Sequence, residues 1–71
     1  MSKIPRGKEM VRKLLRLGFV VARQRGSHQV MKHTSGKVIV VPVHAGRELK
    51  KGLFKDILSQ LKLSEKDFWK L

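Results

Sequence analysis

The residues whose types and spacing could do chemistry form a basic, glycine-containing segment, RQRGSH, at residues 23–28. The segment ends in His28, and histidine is the residue type whose side chain ordinarily gains or loses a proton near neutral pH. Placed on a tight turn among cations, such a group is suited to acid–base work on an RNA phosphate. Gly26 and Ser27 are expected to shape that turn, since glycine lets a phosphate approach the main chain closely.

The charge balance of the chain indicates a polyanionic partner. Seventeen Lys and Arg stand against five Asp and Glu, which gives a formal charge of +12 and a sequence pI of about 11.1. Such a surface gains affinity by releasing counterions from phosphates, so nucleic acid is favoured over a merely soluble basic domain. A membrane is not expected, because no apolar run approaches the roughly 20 residues of a spanning helix.

Several other classes are excluded or disfavoured by composition. The chain has no cysteine, which excludes disulfides and thiolate metal sites. The histidines at 28, 33 and 44 do not have the spacing of a metal site, so neither a metal nor another cofactor is expected. The polar, proline-broken start at residues 1–5 is unlike a signal peptide, and a cytoplasmic location is predicted.

The hydropathy pattern predicts the elements that must position the 23–28 segment. Apolar residues at helical spacing predict helices at 8–17 and about 51–61, and Gly18 is expected to end the first in a left-handed conformation. Runs rich in β-branched residues predict strands at 19–24, 28–33 and 38–41, joined by turns at 25–27 and 34–37. Ser64 and Asp67 predict a capped final turn whose apolar residues pack on the core.

This order predicts a single α+β domain over residues 1–71. Three short antiparallel strands covered by two amphipathic helices make a two-layer αβββα sandwich, here with a short C-terminal helix. Alternation along the second strand places His28, Val30 and Lys32 on one face and Met31 on the other. Because an unpaired lysine is almost never buried, the face bearing His28 should point away from the helices, unless a bulge near Gly26 changes the alternation.

The ordered motifs of this chain resemble the HicA (YcfA-like) toxin family. The resemblance is carried, in register over residues 5–69, by GF at 18–19, RQRGSH at 23–28, VPVH at 41–44 and ELKKG at 48–52. No motif position departs from the family pattern. The resemblance implies a fold similar to the double-stranded-RNA-binding domain, which agrees with the predicted αβββα order.

The same resemblance implies an activity and a partner. Members of the family are mRNA interferases of type II toxin–antitoxin systems, and the histidine of the Gly-Ser-His motif is their catalytic residue, here His28. A HicB-type antitoxin binds and neutralises the toxin. We therefore predict a metal-independent endoribonuclease that cleaves mRNA, and an acidic antitoxin that covers its basic face.

The remaining site candidates each have a plainer alternative. Lys50 and Lys51 precede the second helix and are predicted to contact RNA, although a solvated pair of charges would look the same. Arg23, Arg25 and Lys32 are predicted to hold the scissile phosphate. His44 is a candidate general acid for the leaving 5′-oxygen, and a loop histidine bonded to backbone is the alternative.

A second function class remains open from the sequence. A small basic αβββα domain could bind structured RNA without cutting it, and His28 would then merely contact phosphate or solvent. The aromatic residues favour recognition of backbone and shape over base stacking, because they occupy core-like positions of the pattern.

Overall fold

The computed structural model describes residues 3–71, which form three helices and a three-stranded sheet. The elements follow the order α1 (Gly7–Arg16), β1 (Val20–Arg25), β2 (His28–Lys32), β3 (Val38–Pro42), α2 (Lys51–Leu61) and α3 (Glu65–Trp69). Met1 and Ser2, which belong to the predicted 1–71 domain and to the predicted polar start, lie outside the described residues. The predicted α+β class and αβββα order are confirmed, and each boundary shifts by one residue or not at all.

The sheet is an antiparallel meander in the order β1-β2-β3, with β2 at its centre. One face of it packs against the helices through Met31, Ile39 and Val41, each at most 3% exposed. The core is completed by apolar side chains of α1, α2 and α3, namely Met10, Val11, Leu14, Phe54, Ile57, Leu58 and Phe68. Burial of this apolar surface is the main favourable term holding the two layers together.

Helix α1 begins and ends as local chemistry requires. The Glu9 carboxylate accepts a hydrogen bond from the Arg6 backbone N–H at 3.0 Å, which satisfies a donor at the helix start. Gly18 follows the helix with φ 95°, as predicted. Leu15, although its apolar side chain contributes to the spacing that predicts this helix, is 48% exposed and lies outside the core.

Helix α3 closes the apolar core at one side of α1. Its N-terminus is capped by the Ser64 hydroxyl, which accepts from the Asp67 N–H at 3.1 Å, as the sequence predicts. Lys13 of α1 donates through Nζ to the Leu71 carbonyl and lies 5.8 Å from the centre of the Phe68 ring. Although Lys13 has the spacing of a solvated helix charge, it contacts the end of the chain and an aromatic ring of α3.

Across residues 3–71, the helices are all too short or too polar to span a bilayer.

Candidate functional site

His28 is the first residue of the central strand, directly after a two-residue loop. Gly26 begins that loop with φ 55°, a conformation that costs glycine little and other residues more. The carbonyl of Ser27 accepts a hydrogen bond from the Val43 N–H, which extends the pairing of β2 with β3 past His28. The loop is thus tied to β3, and the exposed imidazole stands at a fixed end of a rigid strand.

A β-bulge in β1 decides which side chains accompany His28. Val20 and Val21 pair with Lys32 and Met31, but Ala22 has no partner, and pairing resumes with Arg23 opposite Val30. Without the bulge, alternation would put Arg23 on the same face as Val21, opposite Met31 and toward the helices. The extra residue instead turns Arg23, and with it Arg25, to the face that carries His28.

Three cross-strand rows make up this face of the sheet, which we call the open face. Its rows, written β1–β2–β3, are Arg25–His28–Pro42, Arg23–Val30–Val40 and Val20–Lys32–Val38. Residues directly opposite across strands have side chains on the same side, and successive rows are about 7 Å apart. His28, Arg23, Arg25 and Lys32 therefore lie on one face of the sheet, and all four are exposed.

His44 and Lys50 belong to a neighbouring hollow. This hollow, of about 470 Å³, lies between the exit of β3 and the start of α2 and is also lined by Arg47, Glu48 and Pro42. Pro42 pairs with His28, so it borders both the open face and the hollow. Lys51 is exposed at the first position of α2 and is not among the residues lining the hollow.

His33 lies apart from these groups, in the turn between β2 and β3. Its ring packs on Phe19 with centroids 5.0 Å apart. Its Nδ1 accepts from the Ser35 backbone N–H at 3.0 Å and lies 2.8 Å from the Ser35 hydroxyl. These contacts give His33 a structural role in the β2–β3 turn.

Gly7 is a positioning residue that the sequence reading missed. A Cβ at this residue would lie 2.3 Å from the Pro42 carbonyl oxygen and 2.9 Å from the Val43 Cα. The first turn of α1 therefore packs directly on the end of β3, at the residue that pairs with His28. A glycine at the first position of a helix, where it is a poor helix former, was the available indication.

Chemically, the open face offers one exposed imidazole, with a guanidinium group in its own row, a second in the adjoining row and the Lys32 ammonium two rows away. An imidazole can exchange a proton with a bound ligand, and the cations can hold an anion and stabilise charge that develops on it. Among residues 3–71, no three His, Cys, Asp or Glu side chains are grouped so as to hold a metal ion. The arrangement suits acid–base chemistry on a phosphate diester.

Comparison with known proteins identifies the family. No curated protein sequence matches the chain. The family model described as HicA toxin of bacterial toxin–antitoxin matches residues 7–63, from the first residue of α1 to just beyond α2. That match spans most of the chain and includes both the open face and the hollow, so the chain belongs to the HicA toxin family.

Proposed function

We propose that this protein is the toxin of a type II toxin–antitoxin system and that it acts as an mRNA interferase, an endoribonuclease that cleaves mRNA. The proposal takes residues 1–71 as one toxin domain acting in the cytoplasm, where its substrate is. The observation that carries it is the row Arg25–His28–Pro42, which holds an exposed imidazole beside a guanidinium on a rigid strand.

In the proposed reaction His28 is the general base. It takes the proton from a ribose 2′-hydroxyl, and the oxygen then attacks the adjacent phosphorus while the bond to the 5′-oxygen breaks. The products are a 2′,3′-cyclic phosphate on one fragment and a 5′-hydroxyl on the other. The reaction needs neither a metal ion nor another cofactor.

The cations of the open face supply binding and charge stabilisation. Arg23 and Arg25 present planar guanidinium groups that can donate two hydrogen bonds to one phosphate, and Lys32 adds a point charge. Gly26 and Ser27 shape the loop so that the phosphate can approach the main chain. Lys50 and Lys51 are proposed to contact the RNA backbone farther along, at the start of α2.

His44 is the candidate general acid in this scheme. It would return a proton to the leaving 5′-oxygen from the hollow that shares Pro42 with the open face. If so, His44→Ala should cleave a normal RNA slowly. It should cleave an RNA with sulfur in place of the leaving 5′-oxygen at the wild-type rate, because a thiolate departs without a proton. Equal slowing on both substrates would remove His44 from that role.

A HicB-like antitoxin is the proposed restraint. A protein of charge +12 that cuts mRNA must be neutralised in its own cell, and an acidic antitoxin would both attract and cover the open face.

The products test the proposed chemistry. Purified protein incubated with end-labelled mRNA in EDTA should yield fragments with 2′,3′-cyclic phosphate and 5′-hydroxyl ends. Fragments with 3′-hydroxyl ends, or an absolute requirement for magnesium, would contradict the mechanism. Salt-sensitive binding with no cleavage would instead support the rival function, a module that binds RNA without cutting it.

A further inference from the structure

The open face is divided into a cationic side and an apolar side. Along β1 it presents Arg25, Arg23 and Val20, whereas along β3 it presents only Pro42, Val40 and Val38. The β3 valines are 45% and 46% exposed, and Val20 is 60% exposed. Exposed apolar side chains scattered singly are ordinary, but Val38 and Val40 are neighbours in adjoining rows of β3, with Val30 beside Val40, which favours an interaction surface.

Nucleic acid does not account for the apolar side. RNA is bound through phosphates, sugar hydroxyls and stacked bases, and branched aliphatic side chains serve none of these. The open face carries no aromatic residue in its rows, while Phe19, Phe54 and Phe68 are buried. The β3 valines therefore call for an occupant that is itself apolar, which favours a protein.

The charge of the chain indicates what kind of protein binds this face. A second copy of this chain would bring Arg23, Arg25 and Lys32 against the same cations of its partner, at a formal charge of +12 on each chain. Bringing like charges together across an interface costs on the order of several kcal/mol of binding free energy, so self-association through this face is disfavoured. An acidic protein with an apolar centre is complementary to both sides at once.

A second, separate hollow, on the open face itself, could bind carboxylates of such a partner. It measures about 320 Å³ and is lined by Ala22, Arg23, Val30 and Lys32. Both the bulged residue Ala22 and Arg23, which follows it, line this hollow. A glutamate side chain suits such a hollow, with its methylenes against Val30 and its carboxylate between the two cations.

We infer that the β3 side of the open face, Val38 and Val40 with Val30, is the docking surface for an acidic antitoxin that presents an apolar centre. This inference rests on the proposed function, since it names the surface by which the toxin is restrained. Docking there places the partner over the row next to His28, so inhibition follows from coverage. The RNA, held by the β1 cations and at the hollow beyond Pro42, and the antitoxin, held at Val38 and Val40, meet at His28 and exclude each other.

The test is calorimetric titration of the toxin with its cognate antitoxin, in a His28→Ala background so that the toxin is harmless to produce. Val38→Thr/Val40→Thr keeps side-chain shape and strand preference but replaces one methyl group of each valine by a hydroxyl. Because these hydroxyls must lose their water in an apolar interface, the double variant should weaken antitoxin binding at least ten-fold. Leu15→Gln is the matched control, because Leu15 is 48% exposed on α1 and lies outside the open face; its affinity should equal that of the parent.

The same valine substitutions, placed in the protein that retains His28, should leave RNA cleavage within two-fold of wild type. Thermal unfolding verifies that the double variant is folded, and Val40→Ala provides a milder second variant that should weaken antitoxin binding several-fold. Unchanged antitoxin affinity in both folded variants would overturn the inference. So would weaker RNA binding with intact antitoxin binding, or a toxin dimer that the substitutions dissolve.

These outcomes are separate from failure of the proposed function. Titration with the antitoxin requires no catalysis, so valine-dependent binding would stand even if the wild-type protein cut no RNA. Conversely, RNA cleavage with valine-independent antitoxin binding would retain the nuclease and remove this docking surface.

Discussion

At the scale of single residues, the position of His28 depends on the backbone angle of Gly26. Gly26 has φ 55° and Gly36, in the β2–β3 turn, has φ 96°, and an added Cβ would meet nothing within 4 Å at either residue. Alanine at either position should therefore cost about 1–2 kcal/mol through backbone strain alone. Chemical unfolding should show similar losses for Gly26→Ala and Gly36→Ala.

The two substitutions should differ in activity. Gly26→Ala distorts the loop that precedes His28 and should lower the cleavage rate at least ten-fold at a temperature where both variants are folded. Gly36→Ala lies in the other hairpin turn and should retain activity within two-fold. Equal activities would show that the Gly26 loop does not position the imidazole.

At the scale of elements, the contact between α1 and β3 holds one side of the site. Gly7→Ala places a methyl group within 2.3 Å of the Pro42 carbonyl oxygen, so α1 or the end of β3 must shift. The expected loss is about 1–3 kcal/mol of unfolding free energy, measured in urea. Gly52→Ala is the matched control: α2 has open space there, and alanine should stabilise it by up to about 1 kcal/mol.

The helices and strands were predictable from local chemistry, whereas the face of the sheet on which each side chain lies could be determined only from the structure. Periodicity identified the helices and strands, and the lysine at position 32 identified which face of β2 is open. The bulge at Ala22 could not be read from the sequence, because a residue that pairs and one that does not look alike in a run such as VVARQR. That single residue places Arg23 and Arg25 beside His28.

Long-range contacts were the other part that the pattern did not contain. Lys13 has the spacing of a solvated helix charge, yet its ammonium reaches the Leu71 carbonyl, 58 residues away. Gly7 contacts β3 and Leu15 lies outside the core for the same reason. Both depend on the rotation and height of α1 relative to the sheet. Sequence periodicity fixes which stripe of a helix is apolar but not its rotation or height against a neighbour.

At the scale of the whole molecule, the charge of +12 should make RNA binding strongly salt-dependent. For single strands the logarithm of the association constant falls with the logarithm of salt concentration by about 0.7 for each phosphate neutralised. We expect Arg25→Gln to reduce that slope by about 0.7, because it removes one phosphate contact beside His28. Filter binding of a non-cleaved RNA analogue at several salt concentrations measures this slope for the variant and for wild type.

Lys66→Gln removes the same unit of charge from α3 and is the matched control for that titration. Its slope should equal that of wild type if RNA follows the open face. An equal reduction by both variants would mean that only total charge matters and that RNA has no defined path on the protein.

The central claim is that His28 is the general base of an RNA-cleaving toxin, and one measurement tests it most directly. Wild type, His28→Ala and His33→Gln are incubated with labelled mRNA in EDTA, with RNA binding measured in parallel. We predict cleavage by wild type and His33→Gln, and loss of cleavage by about 10²-fold or more with His28→Ala while its binding is retained. Cleavage by His28→Ala at the wild-type rate would contradict the account.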